Sequence, residues 1–283
     1  MTLSGMLSPD RVFRFLDCFC VGFFLFSDIL EGIPTMTEAK YSSIRTSVVE
    51  EKVFSITFRK AALDDNSVNE LVHAFSVAVK DSEIRSVVLA AEGEYFCTGM
   101  DPVYLRTAAD SDFEKNLQQS RQLVQLFTLI HSMRKPVIAA IQGKALSEGV
   151  GLAAVCDYVV GSEAAEFSFP DLARGAMPAL VLPFLIRRIG VAACRRILLE
   201  GRSVKAAEGK QIGLVDSIVP AKEMYENVLE IARLISTKNS ANAVGFMKEF
   251  LAKSEGMPHI DVLDYAVHVN AVVQMTDDFK KGN

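Results

Sequence analysis

SVVLAAEGEYFCTGMD, residues 86–101, is the stretch on which the fold turns. Ser86–Ala91 is a short apolar, β-branched run closed by Gly93, as expected of a buried strand. It passes through Phe96 into Cys97, Thr98 and Gly99, and then reaches an acid, Asp101. Small residues around a glycine let a ligand approach the backbone, and an N–H unclaimed at that point binds developing negative charge. The same arrangement returns further on. Val137–Ile141 is a second apolar run, freed from the helix before it by Lys135-Pro136, because the residue before proline is pushed out of the α region. Residues 143–151 then form a second glycine-bearing turn that enters a helix through Leu152-Ala153-Ala154-Val155.

Upstream, Ile44–Val49 and Val53–Phe58, parted by Glu50-Glu51-Lys52, alternate as a β-hairpin does. Residues 66–80 place Val68, Leu71, Val72, Phe75 and Val79 at helical spacing, with Asn66 or Ser67 as the cap. A long helix over residues 112–133 turns Leu117, Leu123, Leu126, Phe127 and Ile130 inward. Downstream, Tyr158-Val159-Val160 and residues 213–219 read as strands, and helices beginning at Met224 and Asn242 close the chain. The whole predicts an α/β fold of repeated β-β-α turns with a C-terminal helical region. It is not a dinucleotide-binding fold, since no G-x-G-x-x-G follows the first strand.

The chain has 283 residues, 50% hydrophobic and 23% charged, which suits one large globular domain with an appendage. A net charge of -5, without a stripe of Lys and Arg between aromatics, argues against nucleic acid as a partner. Five cysteines with no C-x-x-C pair predict a reduced compartment and neither a zinc cage nor a disulfide frame. The four histidines, His73, His131, His259 and His268, stand apart from one another and read as packing or surface residues.

The first 35 residues differ from the rest. Their apolar run, residues 18–26, falls well short of the ~20 residues that span a bilayer. Acids at Asp10, Asp17, Asp28 and Glu31 spoil a mitochondrial leader, and no basic start with a small-residue cleavage site marks a secretory one. A removable leader, an extension outside the fold and a hydrophobic partner-binding helix all stay open for residues 1–40. The domain expectations are a spiral core over residues 41–222 and an oligomerisation region over residues 223–283.

Phe96-Cys97-Thr98-Gly99-Met100-Asp101, Lys135-Pro136-Val137-Ile138-Ala139-Ala140-Ile141-Gln142-Gly143-Lys144-Ala145, Cys156-Asp157-Tyr158, Phe167-Ser168-Phe169-Pro170-Asp171 and Gly213-Leu214-Val215-Asp216 resemble, in order, the signatures of the enoyl-CoA hydratase/isomerase (crotonase) superfamily. The resemblance runs from about Tyr41 to the end. It implies an acyl-CoA substrate whose thioester oxygen accepts two backbone N–H bonds, from Thr98 and Glu148, while a neighbouring carbon loses its proton. Ala62, Leu63, Gly99, Met100, Asp101 and Gly149 are the expected substrate-binding residues, with Asp101 tying its loop together. No cofactor is implied beyond coenzyme A as part of the substrate. Trimers or pairs of trimers are expected, with the helices after Met224 at the subunit interface. The location implied is mitochondrial or cytoplasmic, Ser-Lys-Leu being absent at the C-terminus.

The carboxylates depart from the resemblance. Hydratases of the family hold water between two glutamates, whereas the corresponding positions here are Gly151 and Asp171. Asp171 as a single acid/base predicts a 3,2-trans-enoyl-CoA isomerase of fatty acid oxidation, although aspartate gives up about 1.5 Å of reach. The alternatives are a catalytically weak acyl-CoA-binding or assembly subunit, and an acyl-CoA hydrolase or decarboxylase. Glu148 is a relocated base if its side chain turns inward. The expectation is outward, because charged groups prefer water unless paired. Arg59-Lys60 and Lys280-Lys281 are the candidate contacts for coenzyme A phosphates.

Overall fold

A computed structural model describes residues 40–49 and 52–282, all within one compact unit, Thr35–Asn283. The expectations for the N-terminal extension lie outside the described residues. The chain opens with β1 (Ile44–Val49) and β2 (Val53–Phe58), an antiparallel hairpin with the predicted strand bounds. A short strand, β3 (Ala62–Leu63), leads into helix α1 (Asp65–Lys80). The α1 cap is Asp64 rather than Asn66 or Ser67: the Asp64 carboxylate accepts from the Ser67 N–H, and the Ser67 hydroxyl accepts from the Asp64 N–H, a reciprocal box that places Ser67 in the third helical position.

Three similar turns follow. The first contributes β4 (Ser86–Ala91), β5 (Tyr95–Cys97) and β6 (Gly99–Met100), then α2 (Pro102–Ala109) and α3 (Phe113–Ser132). The second contributes β7 (Val137–Ile141), β8 (Lys144–Leu146) and α4 (Glu148–Val155); the third, β9 (Tyr158–Ser162), β10 (Glu166–Ser168) and α5 (Leu182–Glu200). Each turn gives one strand to a large sheet and one to a small sheet, so the two sheets grow together as a spiral. The large sheet runs β1-β2-β4-β7-β9 and ends on β12 (Ser217–Val219), parallel from β2 onward; the small one includes β5, β8 and β10, also parallel. Phe58 and Phe96 meet edge to face between them, ring centroids 5.6 Å apart.

Beyond the spiral come β11 (Val204–Lys205), α6 (Ala206–Gln211), β12 (Ser217–Val219), α7 (Met224–Lys238), α8 (Ala241–Ser254), α9 (His259–Gln274) and α10 (Asp277–Gly282). The last strand is shorter than residues 213–219, because Gly213 turns at φ +83° and the Leu214 and Val215 N–H groups donate back to Gly209 O. Met224, Val228, Leu229 and Ala232 of α7 bury themselves on Val53, Val88, Ile138, Ala140 and Val160 of the large sheet. The apolar face of α7 is thus covered within the chain. No α9 residue is buried, and Ile260, Leu263 and Val267 stand exposed on it.

Several motif residues act as pins of the spiral. A Cβ at Gly143 would lie 1.8 Å from Glu94 O, so only glycine lets those backbones cross. Asp157 accepts from the Val137 N–H at 2.7 Å and from buried Lys248 at 2.5 Å. Asp216 accepts from the Val159 N–H and from Arg188, each at 2.6 Å.

Candidate active site

The two glycine-bearing loops meet. Gly99 and Met100 pair with Ala62 and Leu63, and Gly99, at φ +82°, turns the chain in the region that favours glycine. The Thr98 N–H donates to Ala61 O at 2.8 Å, so the expected first donor already has a partner. The turn at Gly99 directs the next N–H elsewhere, and Met100 is the residue whose N–H faces the site. Asp101 ties the loop as expected: its N–H donates to Leu63 O at 2.7 Å, and its carboxylate caps α2 by accepting from the Val103 N–H at 2.7 Å.

In the second loop, Ser147 sits between β8 and α4 with φ 46° and ψ -110°, a conformation rare outside glycine. Gly149 packs so closely on the first loop that a Cβ there would lie 2.5 Å from Cys97 O. Glu148 turns inward, against expectation, because partners await it. Its Oε2 accepts from the Met100 N–H at 3.0 Å, and its carboxylate also accepts from its own N–H. Burial pushes its pKa up, the two N–H groups oppose that, and the nearby Asp171 charge raises it further. The N–H groups of Met100 and Glu148 therefore both point at the Glu148 carboxylate at a helix start, the geometry of an anion site.

Asp171 lies in a 3-10 turn, Pro170–Arg174. One of its oxygens accepts from the Ser147 hydroxyl and the other pairs with the Arg174 guanidinium. Ser147 and Arg174 were not legible as site residues. A serine in a turn where the family resemblance implies a run of glycines was the available signal for Ser147; no signal pointed to Arg174. Gly151 is buried, and a Cβ there would lie 2.8 Å from both Phe127 and Val181, so a side chain at that position would have to displace both.

A cavity of ≈ 200 Å³ reaches this anion site, with Met100 and Glu148 in its wall beside Val68, Leu123 and Leu180. Arg59 and Lys60 are exposed at the end of β2, and Lys280 and Lys281 are exposed in α10. His73, His131 and His268 bind Tyr41, Arg187 and the Asp264 backbone respectively, as packing residues do. Burial pushes the Cys97 thiol up to about 12, which leaves it unreactive. Among the described residues, no cluster of three or more His, Cys, Asp or Glu is placed to hold a metal, and no helix is long and apolar enough to cross a membrane.

A family model described as enoyl-CoA hydratase/isomerase matches residues 49–283. A protein of Thermus thermophilus provisionally named an enoyl-CoA hydratase is 34% identical over 224 residues, covering 79% of this chain and 88% of its own. The 2,3-dehydroadipyl-CoA hydratase of Escherichia coli is 30% identical over 211 residues, covering 73% and 80%. The crystal structure of a Mycobacterium smegmatis enoyl-CoA hydratase superposes with a TM-score of 0.80 at 26% identity, over 85% of this chain and 94% of that one.

Proposed function

We propose that this chain, which belongs to the enoyl-CoA hydratase/isomerase family, moves a double bond between positions 3 and 2 of an acyl-CoA rather than adding water across it. The packing at Gly151 carries this reading. Phe127 and Val181 fill the place where a hydratase of the family pattern needs its first glutamate, so the two-glutamate clamp on water has no counterpart there. One proton carrier is enough for isomerisation. In the proposed reaction the Asp171 carboxylate takes a proton from C2, and that electron pair passes into the carbonyl, making an enolate. The Met100 and Glu148 N–H groups hold its oxygen. The enolate then reopens as the C3–C4 double bond moves to C2–C3, and Asp171 returns the proton to C4.

The Glu148 carboxylate supports the anion-site role, since it already rests a negative oxygen on the Met100 N–H. Two donors of this kind are typically worth ~10²–10³ in rate each. Glu148 must leave before the thioester oxygen can enter. The Ser147 hydroxyl fixes the orientation of Asp171. Arg59-Lys60, beside β3, offers charge for coenzyme A phosphates, and the exposed apolar face of α9 offers a surface for assembly into trimers or pairs of trimers.

Hydration is the second reading, favoured by one observation: the Asp171 charge helps raise the Glu148 pKa, so two carboxylates stand close together in a layout of their own. Incubating the purified chain separately with 3-enoyl-CoA and 2-enoyl-CoA decides between them. Interconversion of the two without 3-hydroxyacyl-CoA is the expected result. Hydration at an ordinary enzymatic rate would install the second reading, and binding without turnover would make the chain an acyl-CoA-binding subunit.

A further inference from the structure

We infer that this site also hydrolyses the thioester it binds, with the Ser147 hydroxyl as nucleophile, Asp171 as its base and the Met100 and Glu148 N–H groups around the developing oxyanion. The inference rests on the acyl-CoA reading above and adds a second activity, one that needs no double bond in the acyl chain. Ser147 stands on a strand-to-helix turn: β8 ends at Leu146, α4 begins at Glu148, and the residue between them has φ 46° and ψ -110°. A serine on so sharp a turn, followed by a residue whose N–H serves an anion site, has the layout of a nucleophile elbow. Glycine would take that φ without strain, whereas serine holds it at a cost, and strain of this kind gathers at functional sites.

The hydroxyl has a base and stands beside the anion site. It donates to one Asp171 oxygen, and Arg174 holds the other, so nucleophile, base and orienting group follow one another along a line of contacts. A Cβ placed on Gly99 would lie 2.7 Å from Glu148 Oε2 and 3.0 Å from Ser147 Cβ, so the anion site and the serine side chain flank one point. Once the Glu148 carboxylate yields to a thioester oxygen, the carbon bonded to that oxygen lies next to Ser147. Ser147 Oγ then bonds to the carbonyl carbon while Asp171 takes the hydroxyl proton. Collapse of the oxyanion breaks the C–S bond, and the sulfur leaves with the electron pair and the Asp171 proton as coenzyme A thiol. Water adds to the Ser147 ester as Asp171 again takes a proton, the C–Oγ bond breaks, and Asp171 returns that proton to Oγ. Water is the co-reactant, and coenzyme A and the free acid are the products. A carboxylate is a weaker base than an imidazole, so this turnover is slow.

The test uses hexanoyl-CoA, which has no double bond to move or hydrate, so that it reads hydrolysis apart from the proposed isomerisation. Release of coenzyme A is followed by chromatography, and acid-quenched samples are weighed by intact-protein mass spectrometry with peptide mapping. The unaltered full chain should release coenzyme A at least about tenfold faster than a protein-free blank and carry one hexanoyl group on Ser147. Ser147→Gly suits the turn, so it should fold and bind hexanoyl-CoA within about threefold of the original by calorimetry, yet lose both the release and the label. Asp171→Asn should lose both as well. Release that persists in Ser147→Gly, release without a label on Ser147, or hexanoyl-CoA bound but not cleaved by the unaltered chain would overturn the inference and leave the acyl-CoA reading standing. Absence of hexanoyl-CoA binding would overturn both.

Discussion

The two strand-to-helix loops that build the site do the same job with opposite economy of side chains. The first, around Gly99, keeps its glycine where φ is +82° and uses Asp101 only to cap α2 and hold the loop. The second departs at three positions. Ser147 occupies a positive φ, Glu148 brings a carboxylate to the anion site, and Gly151 yields its place to Phe127 and Val181. Backbone geometry is thus maintained in both loops, while the second has exchanged which side chains surround it. Under the proposed function, the anion site then belongs to the backbone of both loops, and the proton chemistry to the side chains around the second.

The largest effect should come from removing the proton carrier that the second loop holds. Asp171→Asn keeps the shape and the Ser147 contact but loses the basic lone pairs, so turnover of 3-enoyl-CoA should fall about 10³-fold, with acyl-CoA affinity within about threefold of the original. A fall in affinity with turnover intact would show that Asp171 binds rather than reacts. Next in size is Gly151→Glu, which imitates the hydratase pattern. Its Cβ alone would overlap Phe127 and Val181, and its charge would be buried, so denaturant unfolding should show a loss of about 3 kcal/mol or more and no gain of hydration. A stable variant that hydrates 2-enoyl-CoA would break the contrast between the loops.

Ser147→Gly should move stability and activity in opposite directions. Glycine adopts φ 46° without strain, so the protein gains about 1 kcal/mol, while Asp171 loses its hydroxyl donor and kcat falls about tenfold. Thermal unfolding and steady-state kinetics on one preparation check both signs. A stabilised variant of unchanged kcat would make Ser147 a residue of no catalytic use.

The parts read correctly from sequence are those set by local pattern. The hairpin strands and Val137–Ile141 appear with the predicted bounds because alternation and a proline stop act within a few residues. The strand expected over residues 213–219 failed at its start, since Gly213 at φ +83° looks in sequence like any other strand-edge glycine. The structure brings Asp171 and Glu148, both named from sequence, close together, but it departs from two expectations. The Thr98 and Met100 N–H groups differ only through the turn at Gly99, which spacing alone does not reveal. The inward turn of Glu148 depends on backbone donors from a loop 48 residues away, so the rule that an unpaired charge seeks water pointed outward.

In the proposed function, the Met100 and Glu148 N–H groups form an anion site that the chain's own Glu148 carboxylate holds until acyl-CoA displaces it. Calorimetric titration of hexanoyl-CoA from about pH 5 to about pH 8, with the unaltered chain and Glu148→Gln side by side, tests it directly. The raised Glu148 pKa fixes the sign. Below it the side chain is neutral and yields the site easily; as pH rises through it, the ionised carboxylate competes, and affinity should weaken by about three- to tenfold. Glu148→Gln removes the ionisation while keeping its backbone N–H, so its affinity should stay at the low-pH value throughout. The same pH dependence in both proteins, or tighter binding by the unaltered chain at higher pH, would contradict the claim.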